Sequence, residues 1–233
     1  MPLPEDMGHY RKSLEKRRFS LIAGLVPVRS GTGDVMPHVL DMGCGSGWLS
    51  EILRNRGFRV TALDLGLDSI KRAQARMKNR SVNVSFVLGD MYSLPVKEGS
   101  FDAVIASEVL EHCDRPHDAL CEIVRAVKPG GYVIVSTPYR ERIEYTLCIH
   151  CNRKTPVNAH LHSFDAPKMT QMLGDAGCEV ERTVTFVNRP AERLGMAGLT
   201  FFLPFGAWRF LDAIACGMLG RESFMAVRAI RRE

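Results

Sequence analysis

Two short stretches of this 233-residue chain combine side chains that can do chemistry. The first is Glu108-Val-Leu-Glu111-His112, which follows the apolar run 101–106. Two carboxylates and an imidazole at this spacing suit a divalent cation. Glu111 and His112 are therefore the candidate catalytic residues. The alternative is that they shape a loop over a bound cofactor, with His112 acting as a general base.

The second stretch is rich in cysteine and histidine. Cys148-x-x-Cys151 is followed closely by His160-x-His162. Two thiolates and two imidazoles suit tetrahedral zinc, so these four residues form a predicted zinc clip. The alternatives are ordinary loop residues or a redox Cys-x-x-Cys pair. In a further, mixed interpretation, His160 joins Glu108, Glu111 and His112 in one ion site, because both segments follow strands at the same edge of the predicted sheet.

A third pattern indicates a small-molecule cofactor. The apolar residues Val39 and Leu40 precede Asp41, and Gly43, Gly45 and Gly47 follow at alternating positions before a predicted helix. Glycine permits positive φ and leaves room for a ligand against the backbone. This spacing differs from the Gly-x-Gly-x-x-Gly pattern of dinucleotide-binding proteins, which disfavours a nicotinamide cofactor. Asp41 is a candidate for holding a free α-amino group.

Two acidic residues after later strands extend this site. Asp64 lies 17 residues beyond Gly47, where a carboxylate can accept both hydroxyls of a ribose. Asp90 follows the third predicted strand, where it can accept from an adenine amino group while Met91 packs on the ring. The neighbours Cys44, Leu65 and Ser107 complete the predicted cofactor-binding set.

The elements that must position these residues alternate between short apolar runs and amphipathic stretches. This alternation predicts a doubly wound α/β fold, with a parallel sheet flanked by helices. The predicted strands are 39–41, 58–63, 82–88, 101–106, 132–136, 180–187 and 224–230. The predicted helices are 5–24, 47–56, 68–78, 116–127, 165–176 and, in the apolar stretch, 190–220. Residues 137–163 are predicted as one long loop.

The length and the hydrophobic content of 45% suit one core, so we expect a single domain over residues 1–233. Residues 1–34 would form an N-terminal helix and loop, and residues 138–163 the Cys/His loop. The apolar stretch 190–220 would be a helical insertion. It is either a lid over a hydrophobic acceptor, or a core-packing cap or dimer face.

Charge and cysteine usage restrict the partners and the compartment. The net charge of +5 is mild, and the basic runs near residues 11–18 are interpreted as solvated helix surface, so a nucleic-acid partner is not expected. An odd number of cysteines, seven, without a signal-peptide pattern predicts free or metal-bound thiols in the cytoplasm. The stretch 199–219 contains Arg209 and Asp212, so we expect no transmembrane segment.

With these motifs, the sequence resembles the class I S-adenosylmethionine-dependent methyltransferases, in the branch that includes ubiquinone-biosynthesis and other small-molecule methyltransferases. The resemblance covers residues 38–137 through four segments. They are VLDMGCGSGWLSEIL, VTALDLGLDSI, VLGDMYSLPVKEGSFDAVIASEVLEH and RAVKPGGYVIVSTP. It implies a Rossmann-like, seven-stranded sheet that is mostly parallel with an antiparallel last strand.

The resemblance also implies the cofactor and its contacts. S-adenosylmethionine would lie along Gly43, Gly45 and Gly47, with Asp64 on the ribose and Asp90 on the adenine. The segment from Glu108 to His112 resembles the metal-binding segment of some ubiquinone-pathway O-methyltransferases and of small-RNA 3′-end methyltransferases.

Three functions stay open from the sequence. The favoured one is an O- or C-methyltransferase for a small acceptor, and the apolar stretch 190–220 is consistent with a hydrophobic one. The second is an RNA-terminal methyltransferase, and the third is a non-catalytic cofactor-binding protein. The apolar stretch 190–220 also allows a homodimer, in which it would form the contact face.

Overall fold

The computed structural model describes residues 9–27, 36–188 and 203–233 of the chain. Strands and helices alternate through these residues. The strands are β1 His38–Met42, β2 Arg59–Asp64, β3 Ser85–Leu88, β4 Phe101–Ser107, β5 Val127–Pro138, β6 Tyr145–Leu147, β7 Lys154–Pro156, β8 Cys178–Asn188 and β9 Glu222–Arg231. The α-helices are α1 His9–Leu25, α2 Trp48–Asn55, α3 Leu67–Arg80, α4 Pro116–Ala126, α5 Ala166–Asp175 and α6 Phe205–Leu219. A short 3₁₀ helix spans Leu110–His112.

Seven of these strands form one sheet in the order β3-β2-β1-β4-β5-β9-β8. The pairs from β3 through β5 are parallel, whereas β9 is antiparallel to both of its neighbours. The strand order reverses direction between β1 and β4, and in open α/β sheets ligands bind at this point, beyond the carboxyl ends of the strands. The predicted seven-stranded sheet with an antiparallel last strand is confirmed.

The sheet is buried on both faces. Leu120, Ile123 and Met169 of α4 and α5 pack on one face, in one apolar cluster. Leu49 and Leu53 of α2 pack on the other, together with α1 and Trp208 of α6. Fully burying an apolar side chain of this size contributes about 1.5–3 kcal/mol, so the two layers hold the strand ends in fixed positions.

Most helix and strand boundaries follow the sequence predictions to within a few residues, but strand β5 begins at Val127, five residues before the predicted strand 132–136. Helix α5 begins where expected, because the Asp165 side chain accepts the backbone N–H of Lys168 as an N-cap at 3.0 Å. Strand β3 begins at Ser85 rather than at residue 82. The first part of the predicted helix 190–220 lies outside the described residues, and its last part is α6. Helix α6 packs on β8, where Asp212 Oδ2 accepts the Val187 N–H at 3.1 Å.

The prediction of one long loop over residues 137–163 is wrong for its middle part. Strands β6 and β7 form a separate two-stranded antiparallel sheet there, with Tyr145 opposite Pro156. A tight turn closes this hairpin, because Cys148 N–H donates to Arg153 O at 2.9 Å and Asn152 N–H donates to Cys148 O at 2.8 Å. In the part of the chain that is described, we find no helix with the length and apolar character needed to cross a membrane.

Candidate active site

The glycine-rich loop connects β1 to α2 at the switch point of the sheet. Gly43, Gly45 and Gly47 have φ angles of +72°, +53° and +78°. A Cβ at Gly43 would lie 2.5 Å from Val109 Cγ2, so no larger residue fits there. A Cβ at Gly45 would meet nothing within 4 Å. The loop therefore keeps an open space beside Gly45, which is what a cofactor lying against the backbone requires.

Asp64, at the end of β2, fixes the shape of this loop. Its Oδ2 accepts the N–H of Gly45 at 2.9 Å, and its Oδ1 accepts the N–H of Gly66 at 2.8 Å. The backbone of Leu63 adds a second tie, because its carbonyl accepts the N–H groups of Gly43 and Cys44. A carboxylate oxygen can accept more than one hydrogen bond, so Asp64 can also receive ribose hydroxyls.

Asp41 lies deeper, beneath the loop. Its side chain is buried, and Oδ2 accepts the Ser50 hydroxyl of α2 at 2.5 Å. Burial raises the pKa of Asp41 to about 6, against the opposing effect of the Ser50 hydrogen bond. A bound cation nearby would stabilise the charged carboxylate, so the role of Asp41 in holding an ammonium group stays a prediction.

The other predicted cofactor residues border the same edge of the sheet. Leu65 is exposed just after Asp64. The Asp90 carboxylate is at the surface and accepts the Tyr92 N–H at 2.9 Å, while Met91 packs against the core. The Ser107 hydroxyl lies 3.0 Å from that of Ser136. Cys44 is buried, and burial raises the pKa of its thiol above the usual range.

Three residues from two distant segments meet beyond the end of β4. Glu111, His112 and His160 each offer one ligand atom, and these atoms lie within 4.8 Å of one another. The two imidazole rings contact edge to face, with their centroids 4.8 Å apart. The backbone holds the second segment in place, because Leu161 N–H donates to Glu111 O at 2.7 Å. This group contains three of the four residues of the mixed ion site considered from the sequence, and Glu108 is not one of its members.

The histidines are oriented as metal ligands usually are. His112 Nδ1 lies 3.1 Å from the carbonyl oxygen of Ala159, and His160 Nδ1 is bonded to the carboxylate of Glu141. Such partners on Nδ1 leave Nε2 free and fix the ring orientation. Desolvation lowers the pKa of His112, which favours the neutral ring that coordinates a metal.

Glu111 is the most unusual group in this cluster. It is 1% exposed, and neither carboxylate oxygen has a hydrogen-bond partner in the structure. Burial, and secondly the nearby Glu108, raise its pKa to about 9. A buried carboxyl without partners is costly, so its presence requires an explanation such as a bound cation.

Glu108 stands beside the cluster in a strained backbone conformation with φ +55°. Its Oε1 accepts the Ser136 hydroxyl at 3.1 Å, and its Oε2 lies 3.0 Å from Nη2 of Arg18. The Arg18 guanidinium in turn stacks 3.7 Å from the ring centroid of Phe224. A strained backbone conformation is kept where the surrounding contacts hold it in place, and such positions are often at functional sites.

The structure does not assemble the four predicted zinc ligands. Among the described residues, Cys148, Cys151, His160 and His162 are not a cluster of neighbouring ligand atoms. Cys148 and Cys151 lie at the turn of the β6–β7 hairpin, whereas His160 is bonded to Glu141 and the His162 ring packs near Phe164. The sequence spacing is suitable for zinc, but the structure described here does not bring these four side chains into one group of ligand atoms.

A cleft of about 680 Å³ opens next to the cluster. Glu108 and His160 form part of its wall, so a ligand in the cleft would reach the candidate ion site. The lining also includes Glu141, Arg142, Glu144 and Phe224. Its size is typical of a small-molecule site.

Two residues of this site were missed from the sequence. Arg18 belongs to a basic run interpreted as solvated surface, but it is 6% exposed. The signal was its position, since Arg18 shares one helical face with Leu14, Leu21 and Leu25. Glu141, which holds His160, gave no sequence signal beyond lying in the predicted Cys/His loop.

Comparison with known proteins agrees with this geometry. A sequence family described as a methyltransferase domain matches residues 40–135. A ubiquinone biosynthesis O-methyltransferase of Thiobacillus denitrificans is 30% identical over 164 residues, covering 67% of this chain and 70% of that protein. A protein of the same name from Xanthomonas oryzae is 38% identical over 113 residues, covering 48% of this chain and 47% of that one.

A solved structure shows the same fold. It is the 1,6-didemethyltoxoflavin-N1-methyltransferase of Burkholderia thailandensis with bound S-adenosylhomocysteine, with a TM-score of 0.62 at 17% identity, covering 96% of this chain and 81% of that one. The chain spans about half the length of some curated relatives that it matches, 53% of one from Mycolicibacterium smegmatis.

The sheet order, the glycine loop with its acidic residues and these matches define one class of protein. The chain belongs to the class I S-adenosylmethionine-dependent methyltransferases.

Proposed function

We propose that this protein transfers the methyl group of S-adenosylmethionine to a hydroxyl oxygen of a small-molecule acceptor, with a divalent cation at Glu111, His112 and His160, next to Glu108. The observation that carries the proposal is the buried Glu111, whose two carboxylate oxygens face no partner beside two oriented imidazoles. The relatives of this chain include O-methyltransferases of ubiquinone biosynthesis, which supports oxygen as the methylated atom.

The residues present fit the cofactor. The open space at Gly45 and the carboxylate of Asp64 lie together at the switch point of the sheet. The structural neighbour with S-adenosylhomocysteine supports the same cofactor here. When bound, S-adenosylmethionine supplies an electrophilic methyl group with a neutral leaving group, so the protein mainly has to orient the acceptor and exclude water.

The residues around Glu111 fit a hard or borderline cation. Carboxylates and imidazoles suit Mg²⁺, Mn²⁺, Fe²⁺ or Zn²⁺. Such a cation lowers the pKa of a hydroxyl group that it contacts. In this arrangement Glu111 supplies negative charge, His112 and His160 supply neutral nitrogen, and Glu141 keeps the His160 ring in place. Arg18 and Ser136 hold Glu108 at the wall of the cleft.

The cleft favours a small acceptor over RNA. Three carboxylates, Glu108, Glu141 and Glu144, line it together with one arginine, Arg142. A polyanion would be repelled by that balance. Phe224 and other apolar groups in the lining would contact an aromatic or aliphatic part of the acceptor.

We also propose that residues 1–233 form one catalytic domain, in which the segment 138–163 supplies part of the wall of the acceptor cleft. All seven cysteines are free thiols, which supports a reducing compartment such as the cytoplasm.

Mn²⁺ binding, measured by electron paramagnetic resonance, tests the ion site. His160 and His162 provide a matched pair of test and control variants. His160→Ala removes a cluster ligand and should weaken Mn²⁺ binding at least about tenfold. His162→Ala alters a ring that packs near Phe164 and should leave Mn²⁺ binding unchanged. Equal binding by both variants and the wild type would place the ion elsewhere. Methylation of an RNA end, with no transfer to phenols, would favour the RNA-terminal alternative.

A further inference from the structure

Helix α6 turns an apolar face outward. Its inner side packs on β8 and contains Trp208, Asp212 and Cys216, which are buried. A helix at the surface of a water-soluble domain usually shows charged and polar residues on its outer side. In α6 the one carboxylate is inside, and every exposed residue is glycine or apolar. These residues are Phe205, Gly206, Ala207, Phe210, Leu211, Ala213, Ile214, Gly217, Met218 and Leu219.

The large side chains of this face form one stripe. Phe210, Ile214 and Met218 follow one another at intervals of four residues, so they lie along the same line of the helix surface. Phe210 is 67% exposed and Met218 is 80% exposed. Leu211 lies beside the stripe and is also exposed. Contiguous apolar surface of this kind marks a site of contact with another molecule or with a membrane.

The exposed charge next to this face is positive. The segment 203–221 contains three charged residues, Arg209, Asp212 and Arg221. Asp212 is buried and is paired with Arg209 at 3.4 Å, so this pair adds little net charge to the surface. Arg221 is exposed just beyond the glycine that ends the helix. The charge that this segment presents to solvent is therefore that of an arginine.

Helix α1 adds positive charge at the opposite end of α6. The Arg17 guanidinium lies 5.2 Å from the Trp208 ring centroid, and its Nη2 donates to Leu203 O at 3.1 Å. Lys16, the residue before it, is exposed. An apolar stripe with basic residues near both ends suits an anionic lipid surface, because apolar burial and charge attraction then act together.

The dimensions of the face argue against a second copy of the chain as its occupant. A 15-residue helix is about 22 Å long and about 10–12 Å wide, so it offers roughly 250 Å² per copy. Stable protein–protein interfaces bury about 1,200–2,000 Å² in total. They also contain hydrogen bonds, whereas the exposed side chains of α6 have no nitrogen or oxygen atoms. A bilayer surface requires neither that area nor those hydrogen bonds.

We propose that α6 lies on the surface of an anionic bilayer, with Phe210, Ile214 and Met218 inserted at the boundary between headgroups and acyl chains. Arg221 and the basic residues of α1 lie near the lipid phosphates. The inner side of α6 stays packed on β8, so the domain binds with its fold intact. Because part of the attraction is electrostatic, binding weakens as the salt concentration rises.

This contact would bring the acceptor cleft close to the lipid. Strand β9 begins three residues after α6 ends, and its residues Ser223 and Phe224 line the cleft. An acceptor dissolved in the bilayer would therefore have a short path to the cleft. That consequence rests on the proposed function, whereas the membrane contact does not, since it involves no cofactor, ion or acceptor.

Co-sedimentation with vesicles tests the contact on the intact chain, without S-adenosylmethionine or acceptor. One set of vesicles contains equal parts of phosphatidylcholine and phosphatidylglycerol, and the other contains phosphatidylcholine alone. We expect the protein to sediment with the anionic vesicles, to bind the neutral vesicles at least about fivefold more weakly, and to be released by salt. Failure of this test leaves the proposed methyl transfer untouched, because that reaction is assayed with soluble acceptors.

Two variants locate the contact on α6. Phe210→Gln combined with Met218→Gln should weaken binding to anionic vesicles at least about tenfold, because two exposed apolar side chains are lost. Arg221→Glu should weaken it about fivefold or more. Ile149→Gln and Lys78→Glu make matching changes at residues exposed elsewhere and should bind as the wild type does. All four proteins should keep the circular dichroism spectrum and the Kd for S-adenosylmethionine of the wild type.

Three results would overturn the proposal. Wild-type protein that stays in solution with anionic vesicles would show that the face has no affinity for lipid. Loss of binding in Ile149→Gln, with binding retained in the doubly substituted α6, would place the membrane contact at the β6–β7 hairpin. A dimeric mass by light scattering that becomes monomeric in the doubly substituted α6 would show that a second copy covers the face.

Discussion

The carboxyl group of Asp41 should make the stability of the cofactor-free protein depend on pH. Burial raises its pKa from 3.8 to about 6 in the folded chain. Between these values the unfolded state releases the proton while the folded state keeps it. The folded state therefore binds more protons, and the free energy of unfolding falls as the pH rises through this window.

The magnitude follows from linkage. One pKa unit corresponds to about 1.4 kcal/mol, so a single group with these two pKa values costs about 2 kcal/mol of stability between roughly pH 4.5 and 6.5. Asp41→Asn removes the titrating group but keeps an oxygen that accepts the Ser50 hydroxyl. The free energy of unfolding of this variant, relative to the wild type, should therefore rise by about 2 kcal/mol across the same interval.

Urea denaturation at closely spaced pH values measures this difference. Ser50→Ala provides an internal check, because the Ser50 hydroxyl lowers the pKa of Asp41. Its removal should extend the window to higher pH. Parallel pH profiles for the wild type and Asp41→Asn would refute the reasoning, since they would show that Asp41 titrates alike in the folded and unfolded chains.

Three further changes test the cofactor loop and the packing around it. Gly43→Ala would place a Cβ 2.5 Å from Val109 at a position of positive φ, so thermal denaturation should show a loss of about 1–3 kcal/mol in stability. Gly45→Ala has open space around the new Cβ, so it should lose less stability but bind S-adenosylmethionine more weakly. Asp64→Asn should raise the calorimetric Kd for S-adenosylmethionine about 10–100-fold, because a charged acceptor is lost, and an unchanged Kd would remove Asp64 from the site. Glu51→Gln breaks a largely buried ion pair with Arg76 at 2.6 Å and a second one with the half-exposed Arg80 at 2.8 Å. The variant should lose about 1–3 kcal/mol of stability with an unchanged Kd for S-adenosylmethionine, and a loss below about 1 kcal/mol would show that solvent screens both contacts.

The fold and the cofactor loop could be predicted because their signals are local. An apolar strand followed by alternating glycines has few structural solutions, and the Asp165 N-cap is read directly from the residues after it. The number of strands and the antiparallel direction of β9 came from resemblance to a family rather than from the pattern of β9 alone.

The candidate ion site could be predicted only in part, because it depends on contacts between distant segments. His160 reaches Glu111 through a backbone hydrogen bond from Leu161, and no spacing within residues 148–162 indicates that contact. The spacing of Cys148, Cys151, His160 and His162 also suited zinc. Spacing alone could not show that these four side chains form no group of ligand atoms in the described structure. Arg18 was misassigned because a run of charge indicates solvent unless the helical periodicity is weighed beside it.

Metal dependence of methyl transfer tests the central claim most directly. Labelled S-adenosylmethionine and a panel of mono- and dihydroxylated aromatic acceptors would be incubated with the protein before and after chelation, and again after Mg²⁺, Mn²⁺ or Zn²⁺ is restored. We expect transfer to oxygen that is lost on chelation, returns with at least one of these ions and is absent from Glu111→Gln under every condition. Transfer of equal rate in the chelated protein, or in Glu111→Gln, would contradict a cation-assisted reaction at this cluster.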